Sequence, residues 1–236
     1  MKQMFISLLV TVMAMSVSAQ ELDGRIYGRT IEFSVNNPAG VVAAMTQFNA
    51  STTGQNFPGN VLLNEMIADG DSGVSHTVNV FYASAAGMDQ TMGAPSMDGM
   101  RFLSTMRASA DLKGAAIFTM DRGRGLASDA GTVTQLFLME VTDAAAFNKA
   151  LDKLWDSEAM KEFPGGVFQG TFFANGDDPA THWVSFVAED MATLTAGIDA
   201  FFASSAMGAY LKNAGDFRRV TRTSLQRTLL AFRNDG

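Results

Sequence analysis

The sequence predicts an α+β chain of two βαββαβ halves, packed sheet to sheet into one intramolecular barrel. Three observations carry the prediction. The first is a repeat. Phe57-Pro58-Gly59 recurs as Phe163-Pro164-Gly165, and the same offset then places Val61 over Val167, Gly70 over Gly176, Asp71 over Asp177, His76 over His182 and Val78 over Val184. Nine of the 28 positions from Phe57 to Ser84 match their partners, and a period this long marks a repeated domain rather than a short solenoid unit. The second is that the apolar spacing alternates between strand and helix periods in the same order in both halves. The third is composition: at 47% hydrophobic and 17% charged, the chain has the make-up of a globular protein and length enough for two cores.

Each half opens on a strand, Ile26–Val35 and Thr134–Val141. Ile31, Phe33 and Val35 share one face in the first, and Phe137, Met139 and Val141 in the second. Asn37-Pro38 and Thr142-Asp143 then signal a helix start, since Asn or Asp caps free N–H groups and Pro suits the first turn. The helices carry single apolar stripes, Val41, Ala44, Met45, Phe48 and Phe147, Ala150, Leu151, Leu154. The Phe-Pro-Gly stops lead to second strands, Val61–Ala68 and Val167–Ala174. Asp69-Gly70 and Asn175-Gly176 mark turns, and loops run on to third strands, His76–Ala83 and His182–Ala188. Second helical regions follow at Ser96–Ala110 and Met191–Ala214, the latter breaking near Ser204–Gly208. The last strands are Gly114–Met120 and Phe217–Phe232. Asp121–Gly131 is polar and Gly-rich and reads as a linker. The repeats are thus expected over 20–120 and 132–236, joined by residues 121–131.

Residues 1–19 read as a signal peptide: Lys2, an apolar stretch from Phe5 to Met15, and Val17-Ser18-Ala19 as a small-residue cleavage site. The expectation is a periplasmic or secreted protein, with no membrane attachment after signal removal. No cysteine is present, which excludes disulfides and thiolate metal sites. The net charge of −7 argues against nucleic acid and anionic membrane surfaces as partners. Monomer and homo-oligomer both fit. Arg218, Arg219, Arg222, Arg227 and Arg233 crowd the C-terminal strand, as an anion-binding strip or, in the favoured reading, a sheet edge protected by charge.

The βαββαβ order is a split βαβ arrangement with an antiparallel four-stranded sheet and helices on one face. Two copies bury the uncovered faces by setting the sheets against each other. Over about Arg25–Phe232 this order and repeat resemble the dimeric α+β barrel superfamily of ferredoxin-like domains, in fused form. The superfamily includes antibiotic-biosynthesis-monooxygenase-like proteins, haem-degrading oxygenases, isomerases and stress-responsive proteins. The resemblance rests on element order, and no catalytic pattern transfers with it residue by residue.

Candidate chemistry is sparse. His76 and His182, the two histidines of the chain, are catalytic or metal-ligating candidates if both turn to the inter-sheet space. Alternation instead groups them with Val78, Val80, Tyr82 and with Val184, Phe186, Ala188, the helix-facing side, which favours structural histidines fixing the hairpin loops. Glu65 is a third catalytic candidate, as a buried carboxylate with raised pKa; Glu32 and Glu140 lie on neighbouring strands. Asn79, Phe81, Trp183 and Ser185, with Asn64 and Gln169, are the expected lining of a pocket between the sheets. The loop carboxylates Asp69, Asp71, Asp177 and Asp178 read as turn chemistry rather than a calcium loop. Met88, Met92, Met97, Met100 and Met106 suggest copper(I), but the matching segment of the other half carries plain hydrophobes, so core filler is preferred. No cofactor is expected, with haem and copper as the alternatives. Nucleophile-elbow, phosphate-loop and dinucleotide motifs are missing. The leading expectation is an exported protein that binds a small apolar or aromatic molecule between its sheets. Its rivals are an enzyme of the same architecture (cofactor-independent oxygenase, isomerase or haem-handling protein) and a self-assembling structural protein.

Overall fold

Strand alternation sets the architecture. In a computed structural model, which describes residues 24–234, every strand has one face under helices and one turned inward. The first half contains β1 (Ile26–Val35), α1 (Pro38–Ala50), α2 (Thr52–Gln55), β2 (Asn60–Ala68), β3 (His76–Tyr82), α3 (Ala85–Gln90), α4 (Met97–Ser109) and β4 (Ala110–Gly125). The second contains β5 (Val133–Val141), α5 (Ala144–Trp155), α6 (Glu158–Lys161), β6 (Gly166–Ala174), β7 (His182–Ala188), α7 (Met191–Ala203), α8 (Ser205–Ala214) and β8 (Arg218–Phe232). The expected signal segment, residues 1–19, lies outside the described residues. Among the latter, no helix is long and apolar enough to cross a membrane.

The strands close into an eight-stranded barrel in the order β1-β3-β2-β8-β5-β7-β6-β4. Within each half the pairing is the expected one, and equivalent registers recur at the sequence offset: Ile31 faces Val78 and Phe137 faces Val184. The halves also share ladders. β2 pairs antiparallel with β8, and β4 with β6. These two seams consume the sheet edges that a self-assembling sheet would use, and they revise two expectations. The Arg-rich β8 is an interior strand between β2 and β5, so its arginines protect no edge. Residues 121–125, expected in the linker, extend β4 because their backbone groups find partners on β6, from Arg122 opposite Gln169 to Gly125 opposite Gly166. The connecting loop is correspondingly shorter.

The helices are capped as anticipated. Asn37 Oδ1 accepts from Gly40 N at 3.1 Å and Asp143 Oδ1 from Ala146 N at 2.9 Å. Ser204 separates α7 from α8 and caps the latter. Two outer cores result. Val41, Met45, Leu63, Val78, Val80 and Tyr82 pack under the first helical layer, and Phe147, Leu151, Leu154, Val167, Phe186 and Phe201 under the second. Of the clustered methionines, Met88 and Met106 are core, whereas Met92, Met97 and Met100 are exposed. The filler reading therefore holds for two of the five. A third, inner cluster (Phe118, Met120, Leu138, Phe168, Trp183 and Val187) lies within the barrel.

Candidate functional site

The inward positions leave a cavity of about 220 Å³. Its wall has two characters. Along β3, β2 and β8 it presents Asn79, Asn64 and Gln226; across the barrel, β7, β6 and β4 present Trp183, Phe168, Phe172 and Phe118. The aromatic side is ordered by edge contacts. Phe118 meets Trp183 at 5.5 Å and 83°, and Phe81 meets Phe118 at 5.7 Å and 75°. Room for the indole comes from Gly170, opposite Trp183 on β6: a Cβ there would lie 2.7 Å from Trp183 Cζ2 and 1.7 Å from the Thr119 carbonyl oxygen.

The polar side is partly self-satisfied. Asn64 Nδ2 donates to Thr77 Oγ1 at 3.2 Å, and Thr228 Oγ1 donates to Asn64 Oδ1 at 2.9 Å. Thr77 Oγ1 donates a long bond to Gln226 Oε1 at 3.4 Å. Trp183 Nε1 is buried without a hydrogen-bond partner among the described residues. An orphaned donor of this kind costs roughly 1–3 kcal/mol.

One end of the cavity is bordered by Ile26, Asn60, Ala127, Ser128 and Arg233. The connecting loop lies against it, held where Arg233 Nη2 donates to the Ser128 carbonyl at 2.5 Å and Gly131 N to the Thr228 carbonyl at 2.8 Å. At the other end, where both hairpin loops sit, Arg222 bonds Asp69 through Nε at 2.7 Å and again through Nη2, and Glu32 at 3.0 Å. The Asp69 side chain is 3% exposed. Burial lowers the affinity of the Arg222 guanidinium for its proton, but the two carboxylates outweigh that effect and hold it above its usual range. This ion-paired plug is flanked by the positive-φ glycines Gly70 and Gly176, at +59° and +57°, which turn the hairpins. Asp178 accepts from Ala180 N at 2.8 Å, a turn bond as expected.

Five of the six anticipated lining residues meet here: Asn64, Asn79, Phe81, Trp183 and Ser185. Gln169 does not; it alternates with Phe168 and Gly170 and so faces the helix side. Glu65 is likewise outward, directly opposite His76 on the neighbouring strand. The histidines lie on the helix side, apart from the cavity. His76 Nδ1 is 3.0 Å from Ser75 Oγ, and His182 Nδ1 is 2.9 Å from Thr181 Oγ1, with the His182 ring against Phe147 at 5.0 Å. Burial pushes both imidazoles below their ordinary value, opposed by Glu65 for His76 and by Asp121 for His182. The structure does not bring them together. Glu32 and Glu140 are engaged by Arg222 and Arg219. Missed by sequence reasoning were Phe118, Phe168, Phe172, Thr134 and Gln226. Offset matching held a partial signal for Phe168: its mate is Leu62 and both follow the identical Val61 and Val167, so the two share a face, but which face is inward comes only from the pairing of β6 with β7 and β4.

The donors present do not fit haem or copper within the barrel. Among the described residues, no histidine or carboxylate lines the cavity, and Met120 is the one sulfur-bearing side chain there. Among the described residues, no group of three or more His, Cys, Asp or Glu is gathered as a metal would need.

No family model and no curated protein matches the chain. Solved structures do. A monooxygenase-like protein of Fusobacterium nucleatum superposes with a TM-score of 0.61 at 12% identity, over 94% of this chain and 97% of its own. An anthrone oxidase-like protein gives 0.57 at 12% identity, over 92% and 98%. A chlorite dismutase variant from Candidatus Nitrospira defluvii gives 0.52 at 11%, over 88% and 92%. The chain therefore has the fold of the dimeric α+β barrels, with both halves of the barrel in one polypeptide.

Proposed function

We propose that the protein acts on a small aromatic molecule inside its barrel, as an oxidising enzyme of the monooxygenase type. The observation that carries the choice of site is the aromatic-lined cavity with its polar opposite wall and orphaned indole N–H. A flat ring stacks against Trp183 and the phenylalanines, while amides and hydroxyls engage oxygen atoms on its edge. The oxidative half of the reading is supported by the names of the fold's neighbours, a monooxygenase-like protein and an anthrone oxidase-like protein. The chain's own residues would bind and orient the neutral substrate, exclude bulk water, and hydrogen-bond its phenolic or enolic oxygen. An electron-rich ring held this way is the partner that dioxygen needs.

The test is oxygen uptake. Purified protein, dialysed against a chelator, is mixed with anthrone or a naphthol in an oxygen electrode. Consumption in proportion to protein concentration is expected, and it falls at least about tenfold when Phe118 and Trp183 are replaced by alanine. Binding without consumption would sink the enzymatic reading.

That outcome would leave the second reading, an exported binding or accessory protein. It is favoured by one specific observation: among the described residues, none able to accept a proton at neutral pH lines the cavity. Export is proposed for either reading. It is checked by the mass of the protein recovered outside the cytoplasm, expected to begin at Gln20.

A further inference from the structure

Positions at the 106-residue offset have equivalent places in the barrel but different side chains inside it. Thr77 answers to Trp183, Asn64 to Gly170 and Thr30 to Leu136. A barrel of two identical chains shows its lumen the same residues twice. This lumen gathers most of its amides on one side and most of its rings on the other, with Phe81 and Ser185 on the opposite sides, so a flat molecule meets different surroundings when turned over.

The polar groups that remain available are uncharged. Among the described residues, the Asn79 amide, the Thr134 hydroxyl, the Ser185 hydroxyl and the Gln226 amide nitrogen take part in no hydrogen bond, although Thr134, Ser185 and Gln226 are only 4%, 8% and 7% exposed. Thr134 and Gln226 stand directly opposite each other on β5 and β8. Among the described residues the one charged side chain in the lining, Arg233, sits at the loop end, bonded to the Ser128 carbonyl and 3.9 Å from Asp129. Away from that end, an ion inside the barrel would therefore lose its water without meeting a counter-charge among the described residues, which is far costlier than burying a hydrogen-bonded hydroxyl or carbonyl. Size points the same way: an apolar cavity of about 150 Å³ holds benzene, and this one, at about 220 Å³, suits a somewhat larger ring system.

We propose that the lumen takes one neutral, flat molecule per chain in a single orientation, its ring face against Trp183 and its oxygen-bearing edge against Asn79, Thr134 and Gln226. The inference rests on the reading of the lumen as the binding site. It deepens that reading by fixing the ligand's charge state, stoichiometry and polar edge.

Titration calorimetry at pH 7 with three probes of one ring size separates the two. 2-Naphthol is neutral with an oxygen edge, naphthalene lacks the edge, and 2-naphthoate is an anion. Naphthol is expected to bind at one per chain, about tenfold or more tighter than either of the others. The paired substitution Thr134→Val and Gln226→Leu is expected to bring naphthol down to the affinity of naphthalene and leave naphthalene itself unchanged. Equal affinities for naphthol and naphthalene, tighter binding of naphthoate, or two sites per chain would each overturn the inference while leaving the lumen as a binding site. If none of the three probes binds the wild-type protein, both fail together. The wild-type comparison stands even if the substituted protein does not fold.

Discussion

The two histidines show how a residue's neighbours decide its part. Each has its Nδ1 beside a loop hydroxyl and its ring in a helix-side core, and burial holds each below the ordinary value of 6.5. The sign follows from linkage. A base whose folded pKa is depressed binds fewer protons folded than unfolded, so there is no penalty above about 6.5, and stability falls as pH drops through that value. Urea unfolding between pH 5 and 8 is expected to show this decline. Replacing both by glutamine should flatten it; an unchanged slope would remove the histidines from the account. Their facing was legible from alternation alone, since His76 shares parity with Val78, Val80 and Tyr82. The facing of Gln169 was not legible, because both faces of its strand carry mixed residues, and only pairing with β7 and β4 fixes which side is inward.

Elements were legible where local chemistry sets them. Pro38 after Asn37 and the capping Asp143 place the starts of α1 and α5, and the Phe-Pro-Gly segments place the starts of β2 and β6, within a residue or two. Asp143→Ala is expected to cost about 1 kcal/mol through loss of the bond to Ala146 N, measured by denaturant midpoint. β4 was the failure. Asp121–Gly125 has the composition of a linker, and it is a strand only because β6 offers partners from the other half. Gly170 belongs to the same seam. Gly170→Ala would drive a Cβ into the Thr119 carbonyl and the Trp183 ring. A loss of about 1–3 kcal/mol is expected, together with weaker naphthol binding. Full retention of both would show that the β4–β6 seam relaxes freely around the added methyl.

At the scale of the molecule, the repeat revealed two facing sheets but not how they join, because seam pairing is a relation between halves that neither half's sequence states. The cavity was partly legible for the same reason: β3 and β7 declared their inner residues, whereas β8, β4 and β6 contribute through the seams. The plug at the hairpin end tests the integrity of the whole. Arg222→Met would strand Asp69, nearly buried, beside Glu32 without a cation, and a destabilisation of about 3–5 kcal/mol is expected in chemical unfolding. A loss under 1 kcal/mol would show that water readily replaces the guanidinium. Closure of the ladder has a further consequence, in time rather than in energy. An open sheet can shed strands from its margin one after another, each step small and quickly reversed. A ring without a margin has no such first strand, and its opening must break a full seam and expose the lumen at once. The rate of unfolding, more than the midpoint temperature, is where this shape should be felt. The protein would then persist by unfolding slowly, with no disulfide to tie its chain.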